Sequence, residues 1–288
     1  MRDGRVWRTL PPRTRDRRQP LARSCIGTAG WSIPKQQAGA FPGEDSHLER
    51  YARRLPAAEI NSSFYRPHRP ATYTRWAASV PPGFRFSAKV PREVTHTRRL
   101  VDAAEPLERF LGEVEALGPA LGPLLVQLPP SLRYDQAVAA RFFGGLRERF
   151  AGQLACEPRH ASWFDDAADA LLDSHRVSRV AADPAVVPRA ALPGGWQGLL
   201  YIRLHGSPTI YHSAYPPETI TATALRLRDA PAEDRWCIFD NTALGEAAGQ
   251  ALDLLQQLRE GPQADLRQAD TPEAPSAPPS SEHPTRDG

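Results

Sequence analysis

The 288-residue sequence predicts an α/β fold, a (β/α)8 TIM-type barrel flanked by two disordered tails. Three observations carry that expectation. Short β-like runs recur eight times, most of them separated by helical patterns, which is how strand–helix units around a parallel sheet read in sequence. The first run leads into Gly27-Thr28-Ala29-Gly30, too short for the Gly-x-Gly-x-x-Gly turn of an open dinucleotide-binding sheet. Polar residues also collect at the C-terminal ends of the runs, where barrels keep their active sites.

In chain order, residues 1–23 hold eight Arg and three Pro with no apolar stretch, so a disordered Arg-rich extension is expected in place of a secretory leader. A strand is predicted over 24–28. Ser46 and Glu49 form a capping-box signature that opens a helix over 46–54. A strand at 57–62 and a helix at 71–79 follow. The strand at 84–90 alternates: Phe84, Phe86, Ala88 and Val90 point out towards helices, and Arg85, Ser87 and Lys89 point in. Next come a helix at 104–117, a strand at 123–128, a helix at 135–149, a strand at 153–158, a helix at 165–174 and a strand at 177–183. Between Asp183 and Leu199, Pro184, Pro188, Pro193, Gly194 and Gly195 replace a helix with a long loop. The strand at 199–205 turns Tyr201, Arg203 and His205 inward. A helix at 218–228, a strand at 235–240 and a helix at 244–260 complete the barrel. From Gly261 onward Pro, Ser, Ala and acids replace apolar periodicity, so 261–288 is expected to be disordered and 24–260 to form the domain.

The net charge of +3 comprises +6 in residues 1–23 and −3 in 261–288, leaving 24–260 neutral. A neutral body argues against a globally basic nucleic-acid surface while allowing a local patch. No run of about 18 apolar residues exists, so no membrane-spanning helix is expected. Cys25, Cys156 and Cys237 lie inside apolar strands without CxxC spacing, which predicts inert thiols, no structural zinc and a cytoplasmic chain. Of 36 basic residues only Lys35 and Lys89 are lysines, so an inward-pointing ammonium is worth tracking.

Glu59 shares a face with Asn61, and Glu157 with Arg159; Gln127, Asp183, Asp240 and Asn241 end their strands. Buried charge must be paired or neutralised, so this ring is either a functional mouth or an ion-pair network that closes the barrel.

Six motifs stand in order: Gly27-Thr28-Ala29-Gly30-Trp31-Ser32, Glu59-Ile60-Asn61-Ser62-Ser63-Phe64-Tyr65, Gln127-Leu128-Pro129-Pro130-Ser131, Glu157-Pro158-Arg159-His160-Ala161-Ser162-Trp163, Arg203-Leu204-His205-Gly206 and Phe239-Asp240-Asn241. Together they resemble the domain-of-unknown-function-72 family, the YecE-like proteins, over residues 24–260. Ala29 and Ile33 stand where family members often carry Ser and Tyr. The resemblance implies a TIM-type barrel and no settled activity, with a fold like that of endonuclease IV, a metal-dependent barrel acting on phosphodiesters.

Three chemistries suit the ring. In the first, Glu157, Asp183, Asp240 and His205, with Glu59, hold a divalent Mg, Mn or Zn ion that activates water against a phosphoester, while Lys89, Arg159 and Arg203 carry phosphate charge. Only His96, His160 and His205 sit near strand ends, fewer imidazoles than a trinuclear zinc centre would use. In the second, a metal-independent lyase or hydrolase uses Lys89 as base or nucleophile with Glu59 or Glu157 as proton partner. The third is a nucleic-acid or sugar binding module in which Trp31, Tyr65, Trp163, Tyr211 and Tyr215 stack and Arg66, Arg69, Arg92, Arg98 and Arg99 form a basic rim. The expected function is an enzyme acting on a phosphate-bearing small molecule or nucleic acid. Its catalytic set is Glu59, Lys89, Glu157, His205 and Asp240, with Trp31, Asn61, Tyr65, Gln127, Arg159, His160, Trp163, Arg203, Gly206 and Asn241 contacting substrate.

Overall fold

The computed structural model describes residues 23–260. The tails expected over 1–23 and 261–288 lie outside the described residues, save Arg23. The strands are β1 (Arg23–Thr28), β2 (Ala57–Ile60), β3 (Arg85–Lys89), β4 (Leu121–Gln127), β5 (Leu154–Glu157), β6 (Val177–Arg179), β7 (Ala181–Asp183), β8 (Gly194–Gly195), β9 (Leu199–Leu204) and β10 (Asp234–Phe239). The helices are α1 (His47–Ala52), α2 (Pro70–Ala78), α3 (Ala104–Val114), α4 (Gln136–Arg149), α5 (Asp166–Ser174), α6 (Pro217–Asp229) and α7 (Glu246–Glu260). Every expected strand and helix is found, with ends displaced by a few residues. The capping box forms as read: Ser46 Oγ accepts from Glu49 N, and Glu49 Oε2 accepts from Ser46 N.

The fold is a (β/α)8 TIM-type barrel built from two arcs. One runs β2-β3-β4-β5-β6 with all neighbours parallel, and β8 pairs antiparallel on its edge; the other runs β1-β10-β9-β7, also parallel. Two seams join them. At the first, Val177–Asp183 crosses from arc to arc: β6 pairs with β5, Val180 N still donates to Cys156 O, and β7 then pairs with β9. At the second, Ala29 bridges Glu59, Gly30 N donates to Glu59 O, and the Tyr51 hydroxyl of α1 stands between the strands. It accepts from Thr28 N at 2.8 Å and donates to Ala57 O at 3.0 Å, replacing direct ladder bonds. Gly27 permits the approach, because a Cβ there would lie 1.9 Å from Ala57 O.

Side-chain alternation divides the interior into two apolar cores. Outside the strands, Ile26, Ala58, Ile60, Phe86, Ala88, Leu124, Val126, Leu154 and Leu204 pack with the helices. Inside, Cys25, Ala57, Leu125, Ala155, Val180, Leu199, Tyr201, Trp236 and Ile238 fill the barrel, with Trp236 stacked on Tyr201 at 5.9 Å. This inner plug is small, and above it the interior turns polar. All three cysteines are buried thiols, and burial raises the pKa of Cys156 and Cys237. Among the described residues no helix is long and apolar enough to cross a membrane.

Candidate active site

Strand register decides which side chains meet. Arg203 on β9 lies level with Ile238 and with Ala182, so it points into the barrel and is fully buried. Its Nη2 donates to Glu59 Oε1 at 2.7 Å and to Asp240 Oδ2 at 3.1 Å. Its Nη1 donates to Glu157 Oε2 at 2.6 Å, and its Nε to Glu59 Oε2 at 3.1 Å. Tyr201 Oη donates to Glu59 Oε2 at 3.0 Å and stands 2.8 Å from Ser87 Oγ. Burial penalises three carboxylates at such a depth, and the guanidinium offsets that penalty.

One layer up, His205 spans two acids, with Nδ1 at 3.0 Å from Asp240 Oδ2 and Nε2 at 3.1 Å from Glu157 Oε1. Burial opposes its charge, but Glu157 and Asp240 outweigh burial and raise its pKa, favouring the imidazolium that donates from both nitrogens. Burial likewise pushes Glu157 and Asp240 up, yet Arg203 and His205 hold Glu157 well below the usual carboxylate range and Asp240 below its ordinary value. Glu157 also accepts from Gln127 Nε2 at 3.2 Å on each oxygen and from Arg159 Nε at 2.9 Å. Ionised and surrounded by donors, Glu157 is the counterion of Arg203, Arg159 and His205.

Lys89 differs. Its side chain is 4% exposed, its Nζ sits 4.1 Å from the centroid of the Phe64 ring, and among the described residues no hydrogen bond or ion pair holds it. Burial and the Arg203 charge, against Glu59, Glu157 and Asp240, push its pKa down to about 8. Next to it, burial and the positive charges of Lys89, Arg92, Arg159 and Arg99 push His96 down to about 4, so that imidazole is neutral. The mouth thus carries excess positive charge above a neutralised floor.

The family model described as a protein of unknown function, DUF72, matches residues 25–276. The chain belongs to the DUF72 family. This bears out the resemblance read from the six motifs, and the match runs past the expected boundary at 260. A DUF72 protein from Enterococcus faecalis is 21% identical with a TM-score of 0.70, covering 84% of this chain and 97% of that one. Another from Thermotoga maritima is 24% identical with a TM-score of 0.67, covering 82% and 99%. At these identities the likeness speaks for the fold. No curated protein matches.

The remaining expected residues distribute around this DUF72 mouth unevenly. Asn61 leaves its Oδ1 buried without a hydrogen-bond partner. Tyr65 is exposed beside Phe64. Gly206, at φ 97, starts the loop that carries Tyr211, and its N donates to Tyr215 Oη. Asn241 fixes that loop by donating to Ser213 O and Gln250 Oε1, while Gln250 Nε2 donates to Tyr215 O. Tyr211 is brought edge-on to His205 and into hydrogen-bonding reach of Arg159.

Others leave the site. Asp183, level with Leu204, points outward, where it lines a cavity with Glu218 and Arg226 of α6, and among the described residues its Oδ1 has no hydrogen-bond partner. The ligand set Glu157, Asp183, Asp240 and His205 therefore does not assemble. Among the described residues no group of three His, Cys, Asp or Glu could hold a metal ion, and of the three that do meet, Glu157 and Asp240 accept from Arg203 and both His205 nitrogens face those two carboxylates. Trp31 packs edge-on against Trp76 and Phe86. Trp163 is buried with Nε1 donating to Leu132 O, and His160 Nδ1 accepts from Ser162 N to cap a short turn. These contacts tie the loops after the strands together. Arg203, buried under the floor, neutralises carboxylates and is not placed as a phosphate clamp. Phe64, the platform under Lys89, stands in the second motif with nothing in the sequence to mark its role, because sequence does not reveal which aromatic ring an ammonium will meet.

Proposed function

We propose that the chain is a metal-independent enzyme acting on a phosphate-bearing substrate at the barrel mouth, with Lys89 as its reactive amine. The observation that carries this reading is a nearly buried ammonium that has no carboxylate partner among the described residues, where three carboxylates near enough to act on its charge are all committed to Arg203. A structural lysine would take one of them. A pKa of about 8 leaves roughly a tenth of the amine neutral at pH 7, enough to act as base or nucleophile. Arg159, held at one nitrogen by Glu157 and partly open to solvent, supports an anion clamp, aided by Arg92 and Arg99. His205, bridging two acids that raise its pKa, adds positive charge in its protonated form. The metal-assisted phosphodiester route loses its support with Asp183.

Calorimetric titration with inorganic phosphate and ribose 5-phosphate tests the reading. Wild type should bind both, and Lys89→Met and Arg159→Met should each weaken binding about tenfold, the effect of losing one charge-assisted hydrogen bond. Wild-type protein that binds neither at low ionic strength would sink it.

A further inference from the structure

We propose that the cavity beside Lys89 receives a nitrogen heterocycle, so that the ligand of the mouth is a phosphate ester carrying a planar ring with N–H donors. This rests on the phosphate reading above and narrows its substrate class. The cavity, of about 240 Å³, lies between the loops after β2 and β3 and helix α3; Phe64, Tyr65, Arg66, Arg92, Arg109 and Glu113 are among its walls. That falls below the roughly 300–1,000 Å³ of pockets for drug-sized ligands, and suits one ring and not a polymer.

Two residues join this cavity to the mouth. Phe64 lines it and also carries Lys89 Nζ over its ring; Arg92 lines it and is among the charges that depress His96. The ester of a phosphate held at Lys89 would pass Phe64 and Arg92 to reach the cavity. Tyr65 argues for a flat ring. It is 73% exposed, the most of any large apolar side chain described, and it is braced edge-on by Phe64 with ring centroids 4.9 Å apart. An aromatic ring held at a rim and left in water is a stacking platform without its partner. Arg66 and Arg92 add guanidinium planes that stack equally well.

Glu113 argues for the N–H edge. Its Oε2 receives a long 3.4 Å contact from His68 N, and among the described residues its Oε1 has no hydrogen-bond partner. Arg109, whose charge acts on Glu113, is already taken by Glu93 at 2.7 Å and Glu105 at 2.8 Å. Burial raises the Glu113 pKa, against His68 N–H and the Arg109 charge, which marks a carboxyl group short of donors. An amino or ring N–H of a heterocycle supplies them, whereas a sugar would leave Tyr65 unstacked.

Calorimetry on the full chain with four probes decides the matter: inorganic phosphate, ribose 5-phosphate, guanosine 5′-monophosphate and uncharged guanosine. The nucleotide should bind at least tenfold more tightly than ribose 5-phosphate. Glu113→Ala and Tyr65→Ala should each remove most of that advantage while leaving ribose 5-phosphate affinity unchanged. Equal affinities for nucleotide and ribose 5-phosphate overturn the cavity assignment and leave the phosphate site standing. If no phosphate ester binds, the phosphate reading fails. Guanosine binding that Glu113→Ala abolishes would then still uphold the cavity.

Discussion

Four hydrogen bonds leave the Arg203 guanidinium for three carboxylates, and among the described residues the Lys89 ammonium makes none. The two cations therefore respond oppositely to removal. Arg203→Met strands Glu59 and Glu157 in a dry interior and should cost about 3–5 kcal/mol in urea unfolding. Adding Glu59→Gln and Glu157→Gln should recover a large part, because the uncompensated charge does the damage. Lys89→Met removes a charge that folding disfavours and should stabilise the protein at pH 7 by on the order of 2 kcal/mol while weakening phosphate binding. A loss of stability would show that Lys89 is structural. With two lysines in the chain, reductive methylation followed by mass spectrometry resolves Lys89 directly, and its modification rate should rise through a midpoint near pH 8. His205 sets a pH window. Its raised folded pKa stabilises fully below its ordinary 6.5, and that contribution fades as pH rises through the folded value. Glu157 and Asp240, depressed, stabilise above the usual carboxylate range and fail in acid. Melting temperature should peak between these limits, and His205→Gln should flatten its alkaline side.

Between elements, the seam at β1 and β2 hangs on one hydroxyl. Tyr51→Phe leaves Thr28 N–H and Ala57 C=O buried with a partner missing, and should cost about 2–3 kcal/mol with faster hydrogen exchange at Thr28. Elements were the most legible level of the sequence, since strand alternation and helix periodicity follow from local burial on one face. Ser46 and the proline-rich 183–199 stretch show that caps and breakers are equally local. Tyr51 was not legible, because a tyrosine on a helix face reads as core until a second strand presents its carbonyl. The Asp183 error is one of parity. Asp183 ends its strand as Asp240 does, but Val180 and Ala182 face the inner core, which sends Arg179 and Asp183 outward, and Arg179 meets Asp169 on α5. Glu59, Glu157, Arg203, His205 and Asp240 were all brought together as their faces indicated. Their roles were not legible, because pairing depends on distances across the barrel that no single strand encodes.

Over the whole molecule, the neutral 24–260 body places its unbalanced positive charge at one end. Phosphate affinity should therefore fall steeply between low and 0.15 M salt, as expected for partly exposed Arg and Lys contacts. We also propose that 24–260 folds by itself; its melting temperature should match that of the full chain, and a large drop would assign a packing role to residues 261–276, which the family match includes. The arcs themselves are less separable. Glu59 and Glu157 lie on one, Arg203 and Asp240 on the other, and each supplies what the other lacks. A polypeptide ending after β6 would keep Glu59 without the Arg203 that neutralises it and leave Glu157 with Arg159 as its ion-pair partner. Duplicating or exchanging halves would therefore break charge pairs that span the barrel, and a substitution on one arc calls for a compensating one on the other.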